Sequence, residues 1–149
     1  MIKVQLTEFE NYQSEPLQLI ADNNTELNIE IPLRDGRVLN SRDFYFTPTL
    51  TKQGDTEVLT LTSGANSGMQ LVMDYIINPS SYLIDFQIRS TGLGAYLSTE
   101  GAQLQWSSQA FRNSKSLDYE NRYTELSYQH RERKVDELGI SGYDEDTVD

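Results

Sequence analysis

Residues 69–89 read MQLVMDYIINPSSYLIDFQIR, and no other stretch limits the possible folds of this chain as much. Met69, Leu71, Met73, Tyr75 and Ile77 fall on one side of an extended backbone. After Asn78-Pro79-Ser80-Ser81, Tyr82, Ile84, Phe86 and Ile88 do the same, while Asp74, Asp85, Gln87 and Arg89 fall on the opposite side. Period two on both sides of a Pro/Ser break predicts a long β-hairpin. A hairpin with one apolar face is not stable alone in water, so the rest of the chain must supply a second apolar layer.

The rest of the sequence is patterned to do that. Ile2, Val4 and Leu6 alternate, Phe9 and Tyr12 follow, and Leu17 and Leu19 resume after Pro16. Asp22-Asn23-Asn24 is a turn cluster, and Leu27, Ile29, Ile31 and Leu33 make a regular strand pattern that ends at Asp35-Gly36, a strong hairpin signal. Phe44-Tyr45-Phe46 reads as a short aromatic strand stopped near Pro48. Lys52-Gln53-Gly54-Asp55 reads as a turn, and Val58 to Thr62 as a β-prone run. The segment from Tyr96 to Trp106 holds another expected strand, with Leu104 and Trp106 on one face. Turns at this spacing predict an all-β antiparallel sandwich, with a short helix between Ser107 and Leu117. The stretch from Arg122 to Tyr128 reads as extended, and His130 to Leu138 fits helix or strand. The expected division is a sandwich domain over 1–138 and a flexible acidic tail over 139–149, which carries Asp144, Glu145, Asp146 and Asp149.

Composition removes several functions. The 149 residues suit one domain with a real core. A net charge of −11 argues against nucleic acid and against an anionic membrane surface as partners. With no cysteine, disulfides and thiolate metal sites are excluded. No apolar run is long enough to cross a bilayer and no signal peptide is evident. Ile2 to Leu6 reads as a strand entered in mid-sheet, so the first Met is expected to be an addition to a piece cut from a longer protein.

Chemistry is scarce. His130 is the single histidine and sits among Arg131, Arg133 and Lys134, which would repel a metal cation. No serine lies in a Gly-x-Ser-x-Gly context. Glu8 with Glu10, and Asp144 with Asp146, are carboxylate pairs by sequence, but nothing marks either as a buried pair across a cleft. Asp22, Asn23 and Asn24 open like a calcium loop and lack the rest of one. Gly64, Gly68, Gly92 and Gly94 precede no helix and read as turn glycines, not a phosphate cradle. Tyr45, Tyr75, Tyr82, Tyr96, Tyr119, Tyr123, Tyr128 and Trp106 would line a sugar- or peptide-binding groove or, more commonly, pack across strands. No catalytic residue, metal ligand or cofactor is expected, and ligand-binding residues stay unassigned.

The order of residues nonetheless resembles a known family. Val4-x-Leu6-x-x-Phe9-x-x-Tyr12 followed by Pro16-Leu17-Gln18-Leu19 resembles the opening of the periplasmic domain of the bacterial membrane-protein insertase YidC. Tyr75 before the turn, Tyr82-Leu83-Ile84-Asp85-Phe86 after it, and Glu120-Asn121-Arg122-Tyr123-Thr124-x-Leu126-x-Tyr128 extend the likeness, the last toward the Bacteroidetes branch. The upstream Gly-Gly pair and transmembrane segment of that family are absent here. The resemblance implies a β-supersandwich of the galactose-mutarotase type on the periplasmic side of the inner membrane. It also implies a non-enzymatic role in inserting and folding membrane proteins, with Sec translocon subunits and nascent membrane proteins as partners. The family's hydrophilic groove lies among transmembrane helices outside this chain, so none of its residues carries over. The alternatives are a carbohydrate-binding or mutarotase-like domain, which a lone histidine serves poorly as acid or base, and a secreted adhesin-like sandwich. Splayed apolar sheet faces, an exposed sheet edge and an acidic surface lead us to expect weak, salt-sensitive binding of extended or amphipathic polypeptide.

Overall fold

The computed structural model describes residues 3–64, 68–130 and 134–139. Along them run β1 (Val4–Glu10), β2 (Pro16–Ile20), β3 (Thr25–Pro32), β4 (Val38–Asn40), β5 (Phe46–Gln53), β6 (Thr56–Ser63), β7 (Gln70–Ile77) and β8 (Ile84–Thr91). Then come β9 (Gln103–Ser108), α1 (Leu117–Tyr123), β10 (Glu125–His130) and β11 (Lys134–Gly139). The chain divides into two compact units, one over Glu26–Ser107 and one made of Met1–Thr25 with Ser108–Asp149.

The unit over Glu26–Ser107 holds a three-stranded sheet, β4-β3-β9, and a four-stranded sheet, β5-β6-β7-β8. Ile29, Ile31 and Leu33, on and just after β3, share one buried cluster with Leu71 and Met73 of β7. The two sheets therefore face each other across a common core, and the fold is the expected all-β antiparallel sandwich. The expected hairpin of 69–89 is present, with Met73 paired to Ile88, Tyr75 to Phe86 and Ile77 to Ile84. Its turn is closed by Asn78, whose Oδ1 accepts from the backbone N–H of Ser80 at 3.0 Å and from the Ser80 hydroxyl at 2.7 Å. At the other end of this strand pair Gly92 has φ +72°, and a Cβ placed there would lie 2.2 Å from the carbonyl oxygen of Gly68. The chain needs glycine at this position for both reasons.

Two sequence expectations are corrected. Pro48 does not stop a strand at Phe46. It lies inside β5 and pairs with Leu61. Proline lacks an N–H but is tolerated on an edge strand, where one side of the backbone needs no partner. The strand expected within Tyr96 to Trp106 is present as β9, which starts at Gln103, and Leu97 before it makes an isolated bridge to Leu33. The short helix expected after Trp106 is present, but it begins at Leu117, where the expected segment ends; Ser116 caps it, its hydroxyl accepting from the backbone N–H of Tyr119.

In the second unit β1 pairs with β2 and β10 with β11. Asn24 ties its turn together: its side chain accepts from Ala21 N–H and donates to the carbonyls of Leu19 and Gln109. The carboxylate of Glu120 accepts from the backbone N–H groups of Asn113 and Ser114, which fixes the approach to α1. The acidic tail expected from Gly139 onward lies outside the described residues from position 140.

Candidate functional site

The four strands of the larger sheet are 8 residues each. Those of the smaller sheet are 8, 3 and 6. The inward face of the larger sheet can be read in rows across the strands, because directly paired residues share a face. One row is Pro48, Leu61, Met73 and Ile88, the next is Leu50, Leu59, Tyr75 and Phe86, and the last is Lys52, Glu57, Ile77 and Ile84. Cover fades along these rows. Leu71 and Met73 are buried, Leu59, Tyr75 and Phe86 are half-buried, and Ile84 and Leu50 are 46% and 66% exposed. The larger sheet thus overhangs its core with an apolar shelf at the end toward the 78–81 turn. Tyr82 and Leu83, also exposed, follow that turn.

The shelf is apolar and aromatic. The rings of Tyr75 and Phe86 meet with centroids 4.8 Å apart, giving it a rigid aromatic floor. Burial raises the pKa of Tyr75, so its phenol stays neutral. At the rim, Lys52 and Glu57 form an exposed ion pair at 3.8 Å, which contributes little stability. The opposite face of the same sheet is polar. There Asp74, buried, accepts from the Thr60 hydroxyl at 2.7 Å and from Nε of Arg89 at 3.0 Å. These bonds hold its carboxyl below the ordinary aspartate range, the Thr60 bond first and Arg89 second.

A second feature is a cleft of about 180 Å³ lined by Glu26, Asn28, Arg42, Gln105, Trp106 and Ser107. Asn28 is 2% exposed and spends its whole amide. Its Nδ2 donates to Asn40 Oδ1 at 3.0 Å and to Gln105 Oε1 at 3.1 Å. Its Oδ1 accepts from the backbone N–H of Arg42 at 3.3 Å and from the Ser41 hydroxyl at 3.4 Å. Arg42 Nη1 pairs with Glu26 Oε1 at 2.8 Å.

The residues singled out in the sequence are dispersed. Tyr75 lies on the shelf and Trp106 at the polar cleft. Tyr45 and Tyr96 are exposed elsewhere, and Tyr119 and Tyr123 stack on each other at 4.6 Å in the second unit. Within the unit over Glu26–Ser107, Tyr75 and Trp106 thus belong to different features. Glu8 and Glu10 are exposed along β1. His130 pairs with Lys134 through the strand register, while its neighbours Arg131 to Arg133, like the Asp144–Asp146 pair, lie outside the described residues. Among the described residues no three His, Cys, Asp or Glu side chains gather to hold a metal. Leu50, Leu59 and the Asn28 network were not singled out. Continuing the alternation Phe46, Pro48, Leu50 through the proline would have found the first.

Comparison with known proteins completes the description. The family model of the YidC periplasmic domain matches residues 1–149. A membrane protein insertase YidC from Parabacteroides distasonis is 30% identical over 141 residues, covering 93% of this chain and 22% of that protein. The insertase from Bacteroides fragilis is 30% identical, covering 96% of this chain and 23% of its own. That from Porphyromonas gingivalis is 26% identical, with 93% and 22% covered. The chain thus spans less than a quarter of the length of these relatives. No solved structure gives a significant match. Among the described residues no helix is long and apolar enough to cross a membrane.

Proposed function

The chain belongs to the YidC periplasmic domain family and lies on the periplasmic side of the inner membrane, and from that premise we propose that it is a non-enzymatic contact module of an insertase. Its work in this reading is to hold emerging membrane proteins, or subunits of the Sec translocon beside them, while insertion proceeds. The two sheets within Glu26–Ser107 do the holding, in a domain we take to run over 1–138 and to be followed by an acidic tail over 139–149.

One observation carries the reading. The shelf of Leu50, Tyr75, Phe86, Ile77 and Ile84 has core chemistry on a core face and is left partly open to water. An extended polypeptide fits such a shelf because β8 is also an edge strand among the described residues, with one row of backbone groups facing away from β7. The opposite edge, β5, is less suited: Pro48 removes a donor and Lys52 adds a charge on the inward side.

Photoreactive side chains at Ile84 and at Asp85, adjacent residues on opposite faces, test this in the full-length insertase during membrane-protein synthesis. Adducts with the nascent chain or a translocon subunit at Ile84, and none at Asp85, are expected. Equal labelling, or labelling at Asp85 alone, removes the shelf from the mechanism.

A further inference from the structure

We propose that the polar cleft on the outer face of the three-stranded sheet binds a neutral polyol, one sugar-sized ring at a time. Glu26 and Asn28 alternate with Leu27 and the core residue Ile29 on β3, so they fall on the face opposite Ile29. The hydrogen bonds then decide which polar atoms remain for a ligand. A backbone N–H is an unambiguous donor, so the bond from Arg42 N–H fixes the Asn28 oxygen. The Asn28 nitrogen must then donate, so both its partners, Asn40 Oδ1 and Gln105 Oε1, are acceptors. The Gln105 amide is thereby turned with its NH₂ away from Asn28. Among the described residues that NH₂, Nε of Arg42 and the second oxygen of Glu26 bond no protein group.

The set left over selects the ligand. A guanidinium and a carboxylate held at 2.8 Å present a donor beside an acceptor with no net charge. A hydroxyl both donates and accepts, so two vicinal hydroxyls satisfy the pair, one giving its proton to Glu26 and the next accepting from Arg42. Gln105 adds a pre-oriented donor and Ser107 a hydroxyl from β9. An anion would meet Glu26 and a cation Arg42, so both are disfavoured against a neutral molecule. The cleft of about 180 Å³ has room for a single ring. Its exposed ion pair keeps the affinity weak, in the millimolar range.

Two readouts follow from the geometry. Trp106, the chain's one tryptophan, lies between Gln105 and Ser107 on β9 and borders the cleft, so its fluorescence is a nearby reporter. The side-chain NH₂ of Gln105 gives its own pair of amide resonances. Titration of the 149-residue chain with methyl glucoside and methyl galactoside should shift the Gln105 NH₂ resonances saturably with at least one of them. Acetate and guanidinium at equal concentration should not. Gln105→Leu and Glu26→Gln, both at exposed positions, should each weaken the response about fivefold, the effect of one ordinary hydrogen bond. Absence of a saturable Gln105 shift with both glycosides overturns the proposal. So does a Trp106 response to glycoside that survives unchanged in both variants, or an equal response to acetate. Neither readout involves membrane insertion, so this test and the cross-linking test fail independently.

Discussion

The two ends of the inward face of the β5-β6-β7-β8 sheet are made of the same kinds of residue and have different fates. At one end Leu71 and Met73 disappear into the core shared with Ile29 and Ile31. At the other, Ile77, Ile84 and Leu50 remain open to water, on the same strands and the same side. Strand alternation sets which face is apolar. It does not set how far the opposing sheet reaches, and that reach decides whether an apolar residue stabilises the fold or waits for a partner.

The largest predicted effect is at the covered end. Leu71→Ala should lower unfolding free energy by about 2–5 kcal/mol, the usual loss for a fully buried leucine. Ile84→Ala should cost under about 1 kcal/mol, because nearly half its surface already meets water. Urea unfolding of both variants measures the difference, and equal costs would mean that the two ends are packed alike. Gly92→Ala comes next, at roughly 1–3 kcal/mol, since the new Cβ meets the Gly68 carbonyl at 2.2 Å and φ is +72°. A thermal melt of this variant that matches the parent would show that the two strand ends do not approach so closely.

Asp74 sharpens the comparison through the polar face behind the shelf. Its folded pKa is depressed, by the Thr60 hydrogen bond and then by Arg89. The stabilisation is therefore present above the unfolded value of about 3.9 and is lost as pH falls through the folded one. Stability should decline on acidification below about pH 4, and Asp74→Asn should flatten that decline while costing about 1–3 kcal/mol at pH 7. Unchanged acid sensitivity in Asp74→Asn would assign the decline to other carboxylates. The smallest expected effect is that of Leu50→Lys, within about 0.5 kcal/mol of the parent in stability. It should nonetheless reduce binding of a hydrophobic fluorescent dye.

Much of this was legible in the sequence. The 69–89 hairpin, its turn at Asn78 and the pairing of opposed faces follow from period two and turn chemistry alone. The shelf was legible only as a general expectation of splayed sheets, because no local pattern announces how far an opposing sheet reaches. Pro48 hid Leu50: proline reads as a stop unless the strand is known to lie at an edge, which is a property of the sheet. The polar cleft was illegible for a related reason. Asn28, Asn40 and Gln105 are ordinary surface amides by sequence, and only the β4-β3-β9 order brings them within hydrogen-bonding distance.

The central claim, that the open end is a docking surface for polypeptide, is tested most directly by methyl NMR of the folded chain. An extended peptide with alternating apolar residues and a basic flank would be titrated at low and at high salt. The account predicts saturable shifts at the methyls of Leu50, Ile77 and Ile84, little change at Leu71 and Met73, and weaker binding at high salt because the chain carries −11 charge. Shifts centred on other methyls, or no saturable shift at Ile84 at millimolar peptide, would contradict it.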